Sequence, residues 1–340
     1  MGIKRYTADK DNTITNAYER NLITRGTGSN MGASDVLEIF SIYGQAFNSS
    51  SAGITKTTEL ARVLVQFPVA TILADRNSGD IPVSGNVDFY LRLYNAKHGE
   101  TVPKDMTLTV VPVSSSWEEG FGLDMENYQD LTKNKEGSNW INSGGTTAWA
   151  TIGGAYLTAS TNNDYGDRRV EVTFENGTED LELDVTDTVE RWIKGTLENG
   201  GFPNYGFGVY LTASQEAYFS ASEGGFSSGS VIQNTLGATR SYYTKRFFSR
   251  TSEFFFKRPL IEARWDSTIK DNRGNVQYSS SLLTADDNLN TLYLYNYVNG
   301  QLKNIPNLTD ASGKIYVQIF SGSTESTPTG SAIDLVTSTD

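Results

Sequence analysis

LELDVTDTVERWIKGTLENGGFPNYGFGVYL, Leu181 to Leu211, is the stretch on which the fold turns. Leu181, Leu183 and Val185 alternate as one face of a strand. Val189, Trp192 and Ile193 then fall at the i, i+3, i+4 spacing of a buried helix face. Asp187 followed by Glu190 predicts a capping box, and Gly195 predicts a C-terminal cap, so the helix is short. Phe207, Val209 and Leu211 alternate with Gly208 and Tyr210 as a return strand. The unit reads as a strand, a plug helix and a strand, with Trp192 clamping the helix onto whatever lies beneath it.

Working outward, the surroundings are β-rich. Val87 to Tyr94, VDFYLRLY, places Val87, Phe89, Leu91 and Leu93 on one face and Asp88, Tyr90, Arg92 and Tyr94 on the other. Ala61 to Phe67 alternates Val63, Val65 and Phe67 inward with Arg62 and Gln66 outward, and stops at Pro68. Further strands are predicted near Arg5 to Ala8, Val36 to Tyr43, Thr107 to Val113 and Val170 to Phe174. After a Gly/Ser-rich segment, Phe247 to Trp265 is broken in two at Arg258-Pro259, and Ile261, Ala263 and Trp265 line the inner face of a last strand. Trp192, Ile193, Val189 and Trp265 are the predicted core of the fold. Ser114 to Asp167 reads as long loop over the mouth of the sandwich and carries Trp117, Trp140 and Trp149. The fold class is all-β: an antiparallel sandwich with one short helix over residues 1 to 267, followed by a linker and a small β domain over 268 to 340. Leu292, Leu294, Ile315, Val317 and Ile319 give the second part the pattern of a partial immunoglobulin-like sandwich.

Composition narrows the function. The 340 residues carry 40 acidic and 28 basic side chains, a net charge of -12 that repels nucleic acid phosphate and anionic membrane. The chain has no cysteine, which excludes disulfides and cysteine-held zinc. The start, MGIKRYTADK, lacks the apolar run of a secretory signal, and no stretch is long and apolar enough to span a bilayer. The expectation is a soluble protein made in a cytoplasm, with neither nucleic acid nor membrane as partner.

Catalytic patterns are weak. His98 is the one histidine and reads as an exposed turn residue. Glu118 and Glu119 stand side by side, which sends them to opposite faces of an extended chain and does not make a glycosidase pair. Glycines in RGTGSNMGAS, Arg25 to Ser34, have no following Lys-Ser/Thr, so the segment is a turn between strands and not a phosphate loop. Asp9, Asp11 and Asn12, or Asn163, Asp164 and Asp167, offer the hard oxygens that calcium takes, but neither set has EF-hand spacing, and both read as solvated acidic loop. No cofactor is expected. Trp117, Trp140 and Trp149 are the candidates for stacking on a sugar ring or for filling an interface.

Several short motifs occur in a recognisable order: Trp117-Glu118 after the strand Thr107 to Val113, then LDVTDTVERWIKG, NYGFGVYL, and FFSR with Arg258-Pro259 before the closing strand. In this series residues 5 to 267 resemble the DNRLRE domain, also classed as carbohydrate-binding module family 96. The hexapeptide that gives that family its name is absent, and Gly224 to Thr244 looks like an insertion. The resemblance implies a jelly-roll-like sandwich that binds acidic polysaccharide in some members and builds surface structures in others. The openings IKRYTADKDNTITNA and RGTGSNMGASD, and most of the chain besides, also resemble virion structural proteins of marine tailed cyanophages. That resemblance implies a non-enzymatic virion structural or decoration protein, in contact with other virion proteins and its own copies. The alternative is an adhesion module for a host surface polysaccharide.

Overall fold

The structure is a computed structural model. It describes residues 1–17, 19, 26, 28–44, 57–97, 104–123, 129, 136–158, 165–213, 215–216, 242–267, 280–284, 288–290, 292, 297–299, 301–302, 319–320 and 330–333. The chain divides into two compact units, Met1–Ser267 and Thr268–Asp340.

The first unit is an all-β sandwich of two antiparallel sheets. One has four strands: β1 (Gly2–Thr7) beside β13 (Leu260–Trp265), then β5 (Asp88–Leu93), then β10 (Leu181–Asp184). The other has seven. Its path runs β12 (Tyr242–Phe248), β3 (Val36–Gly44), β4 (Thr57–Gln66), β11 (Phe207–Leu211), β6 (Met106–Pro112), β9 (Val170–Phe174), and β2 (Lys10–Thr15) joins it on β4. β3 and β2 share one edge of β4: Phe40 to Gly44 pair with Ala61 to Thr57, and Lys10 to Thr15 pair with Gln66 to Ala61.

Between the sheets lies the main core. Val63 and Val65 of β4, Leu108 and Val110 of β6, and Phe207 and Val209 of β11 face Phe89 and Leu91 of β5 and Ile261 and Ala263 of β13, all buried. Helix α2 (Thr186–Lys194) closes one end of this core with Val189 and Trp192, whose indole lies 4.7 Å from the Phe207 ring. Ile193 and Trp265 are partly buried and pack against the same core. The Trp265 ring occupies the place where a side chain on its cross-strand partner Gly2 would stand.

The helix start differs from the predicted capping box. Its N-cap is Val185, with no side-chain cap. Asp184 instead accepts from the Thr186 backbone N–H (2.9 Å), Asp187 pairs with Arg191 and Arg168, and Glu190 is drawn to Arg76 (2.5 Å). Arginines, from neighbouring segments and from the helix itself, hold Asp187 and Glu190 in ion pairs in place of a capping box. Gly195 does close the helix, at φ 76°.

Two further departures have physical causes. α1 (Val69–Asn77), directly after Pro68, lacks a helical apolar stripe because it buries only Val69 and Ile72. Asp11 and Asn12, read above as acidic loop, sit inside β2 and are fully buried, because the strand lies under the segment that follows β6.

That segment is the second departure from a simple sandwich. The described parts of residues 114–158 do not hang over the mouth. They fold back onto the outer face of the seven-stranded sheet, where Trp117, Trp140, Trp149 and Tyr156 pack on Leu60, Leu64, Val111 and Val113. Gly208 of β11 is required there, since a Cβ would stand 2.2 Å from the Tyr156 ring. Within the segment β7 (Asn142–Gly144) and β8 (Thr147–Ala148) form a small hairpin.

In the second unit, β14 (Tyr297–Val298) pairs with β15 (Gln301–Leu302), and β16 (Ile319–Phe320) with β17 (Ala332–Ile333). Leu294, Ile315 and Val317, which carry most of the immunoglobulin-like pattern, lie outside the described residues, as does most of the apparent insertion from Gly224 to Thr244, whose last residues open β12.

Trp192 sets the first test. Its ring is buried while its Nε1–H has no acceptor among the described residues. Trp192→Ala is expected to cost about 3 to 5 kcal/mol. Trp192→Phe, which also removes the unpartnered donor, is expected to cost less, on the order of 1 to 2 kcal/mol. Urea unfolding followed by circular dichroism reads both; equal, small losses would show that the helix is not a plug.

Candidate functional site

Buried charge is the first place to look for chemistry, and each buried cluster is closed by its own partners. Arg62 projects from β4 under the covering segment. Its Nε and Nη2 donate to Glu216 (2.9 and 2.7 Å), its Nη1 donates to the Gly153 carbonyl (3.0 Å), and its guanidinium lies 4.5 Å from the Tyr210 ring centre. Burial works against the Arg62 charge, and the Glu216 carboxylate and neighbouring tyrosines outweigh it, so its proton is held more tightly than usual. Lys245 of β12 is likewise buried, donating to Asn95 Oδ1 (2.7 Å) and to the carbonyls of Gly177 (2.8 Å) and Glu179 (2.7 Å). Burial pulls its ammonium down to about 8, against the pull of Glu179 and Asp180. All three of its donors are occupied by protein oxygens, which makes it a clamp between β12 and the turn before β10.

A third cluster ties the covering segment to the sheet. Glu119 accepts from Arg250 Nε (3.0 Å) and Nη2 (2.8 Å) and from the Asp11 backbone N–H (2.9 Å). Asp11 Oδ2 accepts the Arg250 backbone N–H, while Asp11 Oδ1 is buried with no partner among the described residues. Burial pushes the Asp11 carboxyl up to about 7, with the Glu119 charge adding to it and the Arg250 contacts opposing it. Asn12 Nδ2 donates to the Ser138 carbonyl (3.0 Å), and its Oδ1 accepts from Met31 N–H (2.8 Å). Asp11 and Asn12 are therefore committed to protein contacts, which is why they do not form a calcium loop. Among the described residues no group of three or more His, Asp or Glu side chains is placed to hold a metal ion. His98, Asn163 and Asp164 lie outside the described residues, and Asp167 is paired with Arg169 (2.5 Å).

The tryptophan candidates are relocated by the fold. Trp117, Trp140 and Trp149 are 3%, 0% and 5% exposed, so none offers a ring face to a sugar or to a partner. Trp117 Nε1–H donates to the Tyr205 carbonyl (2.8 Å) and Trp149 Nε1–H to the Asn139 carbonyl (2.8 Å), while Trp140 lies beneath the Arg62 guanidinium (5.5 Å). Their apolar area is used to cover the outer sheet face, which could not otherwise stay dry. Glu118 and Glu119 do not pair either: Glu119 is taken by Arg250, and Glu118 lies against Gly144.

The outer face of the four-stranded sheet carries a lattice of ion pairs. Its centre, Glu262 on β13, receives Arg5 (3.2 Å), Arg92 (3.2 Å) and Arg264 (2.9 Å), and Glu182 ties Arg92 to Arg264. Burial resists ionisation of Glu262, and hydrogen bonds from these guanidinium groups overcome it, holding its carboxyl below the usual carboxylate range. Arg264 also stacks on Tyr90 at 4.2 Å. Where β13 ends, this lattice borders a cleft of about 450 Å³ lined by Met1, Asp88, Tyr90, Arg264, Trp265 and Asp266. It is an aromatic, carboxylate-edged concavity, and no spacing in the sequence points to it, since its residues come from three separate strands.

At the other end of β13 stands its counterpart. Phe254, Phe255 and Phe256 are 51%, 61% and 81% exposed on a 3-10 turn, Phe255–Lys257. The turn is firmly held: Arg258 Nε donates to the Ser252 carbonyl (2.9 Å), and Ser249 Oγ donates to the Ser34 carbonyl (2.6 Å). Three phenylalanines in a row break strand alternation, which is the sequence signal for an exposed knuckle.

Compared with family models and with curated proteins, the chain matches none.

Asp11 supplies the pH test. Its folded value of about 7 stands above its ordinary 3.8, so between those limits the folded chain holds a proton that the unfolded chain has released. The stability tied to this proton is complete below pH 3.8 and is lost as pH rises through about 7. Asp11→Asn is expected to be more stable than the native chain at pH 8, by on the order of 3 kcal/mol, with the difference vanishing near pH 4. Unfolding curves for both chains across this range check it; a constant difference would mean that Asp11 does not titrate there.

Proposed function

We propose that the chain is a non-enzymatic structural protein of a tailed-phage virion, assembling through its sandwich with other particle proteins and with its own copies. The observation that carries this reading is the Phe254 to Arg258 knuckle, a rigid, apolar, cationic projection. Among the described residues, the buried charges of Arg62 and Glu216 pair with each other, Glu262 pairs with arginines, and Lys245 is held by protein oxygens. Soluble monomers seldom keep three adjacent phenylalanines exposed, whereas protein interfaces are enriched in aromatic and arginine side chains. The virion assignment rests on the resemblance of the two opening motifs to cyanophage structural proteins.

A second reading, a polysaccharide-binding module, is favoured by one feature. In the Tyr90–Trp265 cleft, half-buried aromatic rings stand beside Arg264 and two carboxylates, an arrangement suited to a sugar ring. In that reading the binding surface is this cleft and not the loop tryptophans.

Mass spectrometry of purified particles from a lysate in which the chain is expressed is expected to recover it in fixed stoichiometry with the other particle proteins. Its absence from particles, together with glycan-array binding that Tyr90→Ala abolishes, would replace the first reading with the second.

A further inference from the structure

The first unit carries an exposed turn of apolar rings and cations and an aromatic cleft edged by carboxylates, and they stand at opposite ends of one strand. The knuckle precedes β13 through Pro259, and the cleft follows where β13 ends at Trp265. Six strand residues separate them by about 20 Å. One copy therefore cannot bring its own knuckle to its own cleft.

Charge singles out the same pair. Among the described residues, every arginine except Arg258 is ion-paired with a carboxylate. Arg258 instead lies 5.4 Å from the Phe255 ring, and Lys257 lies over Phe248 (5.1 Å) and Phe254 (5.7 Å). An arginine with no carboxylate partner among the described residues is unusual on a chain of net charge -12. The cleft offers a carboxylate in return: Arg264 is paired with Glu182 and Glu262, while the carboxylate of Asp88 is exposed at the rim and makes no ion pair among the described residues. Its floor is aromatic, from Tyr90 and Trp265.

We propose that the occupant of the cleft is the knuckle of a second copy of this chain, with Phe255 and Phe256 entering against Tyr90 and Trp265 and with Arg258 meeting Asp88. The contact joins two different patches, so it is heterologous, and repetition along the β13 direction builds a ring if the rotation closes and a filament if it does not. Overall like charge makes copies repel at a distance, and the local opposite charges select this one register. The inference rests on the assembly reading above and specifies which surfaces assemble.

The absence of cysteine makes the test direct. Full-length chains carrying either Phe256→Cys or Asp88→Cys are mixed under mild oxidation. The expected result is a disulfide-linked dimer enriched in the mixture over either variant alone. Sedimentation velocity of the native chain is expected to show concentration-dependent association. Phe255→Ser with Phe256→Ser should weaken it about tenfold or more, as for a hot-spot aromatic. Arg258→Glu should weaken it too, and Asp88→Lys on the partner copy should restore it. Phe255, Phe256 and Asp88 are exposed and Arg258 is half-buried, and an unchanged melting curve for each variant confirms folding. A native chain that stays monomeric, an association insensitive to the phenylalanines, or a monomer whose knuckle binds phosphatidylcholine vesicles would each overturn the inference. Recovery of the chain in particles despite such a result would leave the assembly reading standing; absence from particles with intact self-association would remove only the virion assignment.

Discussion

Strand β4 is buried on both faces, and most of the architecture answers that constraint. Val63 and Val65 point into the space between the sheets, and Leu60, Arg62 and Leu64 point the other way, yet all five are buried. A strand in this position needs two covers. The four-stranded sheet and helix α2 supply one, and the segment 114–158 with its three tryptophans supplies the other. Because Arg62 carries a charge into the second layer, that layer must also contain a carboxylate, and Glu216 is the residue that meets it. The polar details of the outer layer follow from this one arginine: Gly153 turns its carbonyl to it, and Tyr156 and Tyr210 stack against it.

Covering the second face decides where function can sit. Aromatic rings placed inside a dry layer are unavailable for recognition, which removes the loop tryptophans from the surface. Acidic residues held by arginines are similarly withdrawn, since a carboxylate that accepts a guanidinium has few lone pairs left for a metal or a substrate. Among the described residues, the outer face of the four-stranded sheet and the turns at its two ends carry exposed aromatic and charged groups.

Legibility in the sequence followed solvent contact. β5 was readable because one of its faces is solvated, so Phe89 and Leu91 alternate with Asp88, Tyr90 and Arg92. β2 was not, because Asp11, Asn12 and Thr13 are polar residues whose partners, among them Arg250, Ser138, Met31 and Glu38, lie more than 15 positions away, and a single sequence does not reveal such partners. α1 escaped notice because a helix touching the core with two residues leaves almost no periodicity. The knuckle had a signal in three successive phenylalanines, but the cleft had none, being assembled from the chain start, β5 and the end of β13.

By itself, then, the sequence determined the all-β character of the first unit, the short helix closed by Gly195, and the inward set around Val189 and Trp192, because each depends on the period of neighbouring residues along the chain. Only the tertiary structure decided that the tryptophan-bearing segment is a lid on the sheet, that Arg62 has a carboxylate to neutralise it, and that the carboxylate-edged cleft and the cationic knuckle lie at opposite ends of β13. Those outcomes depend on which residues distant in the chain are brought within a few ångströms of each other, and burial then gives a charge or an indole a role that its residue type alone does not specify.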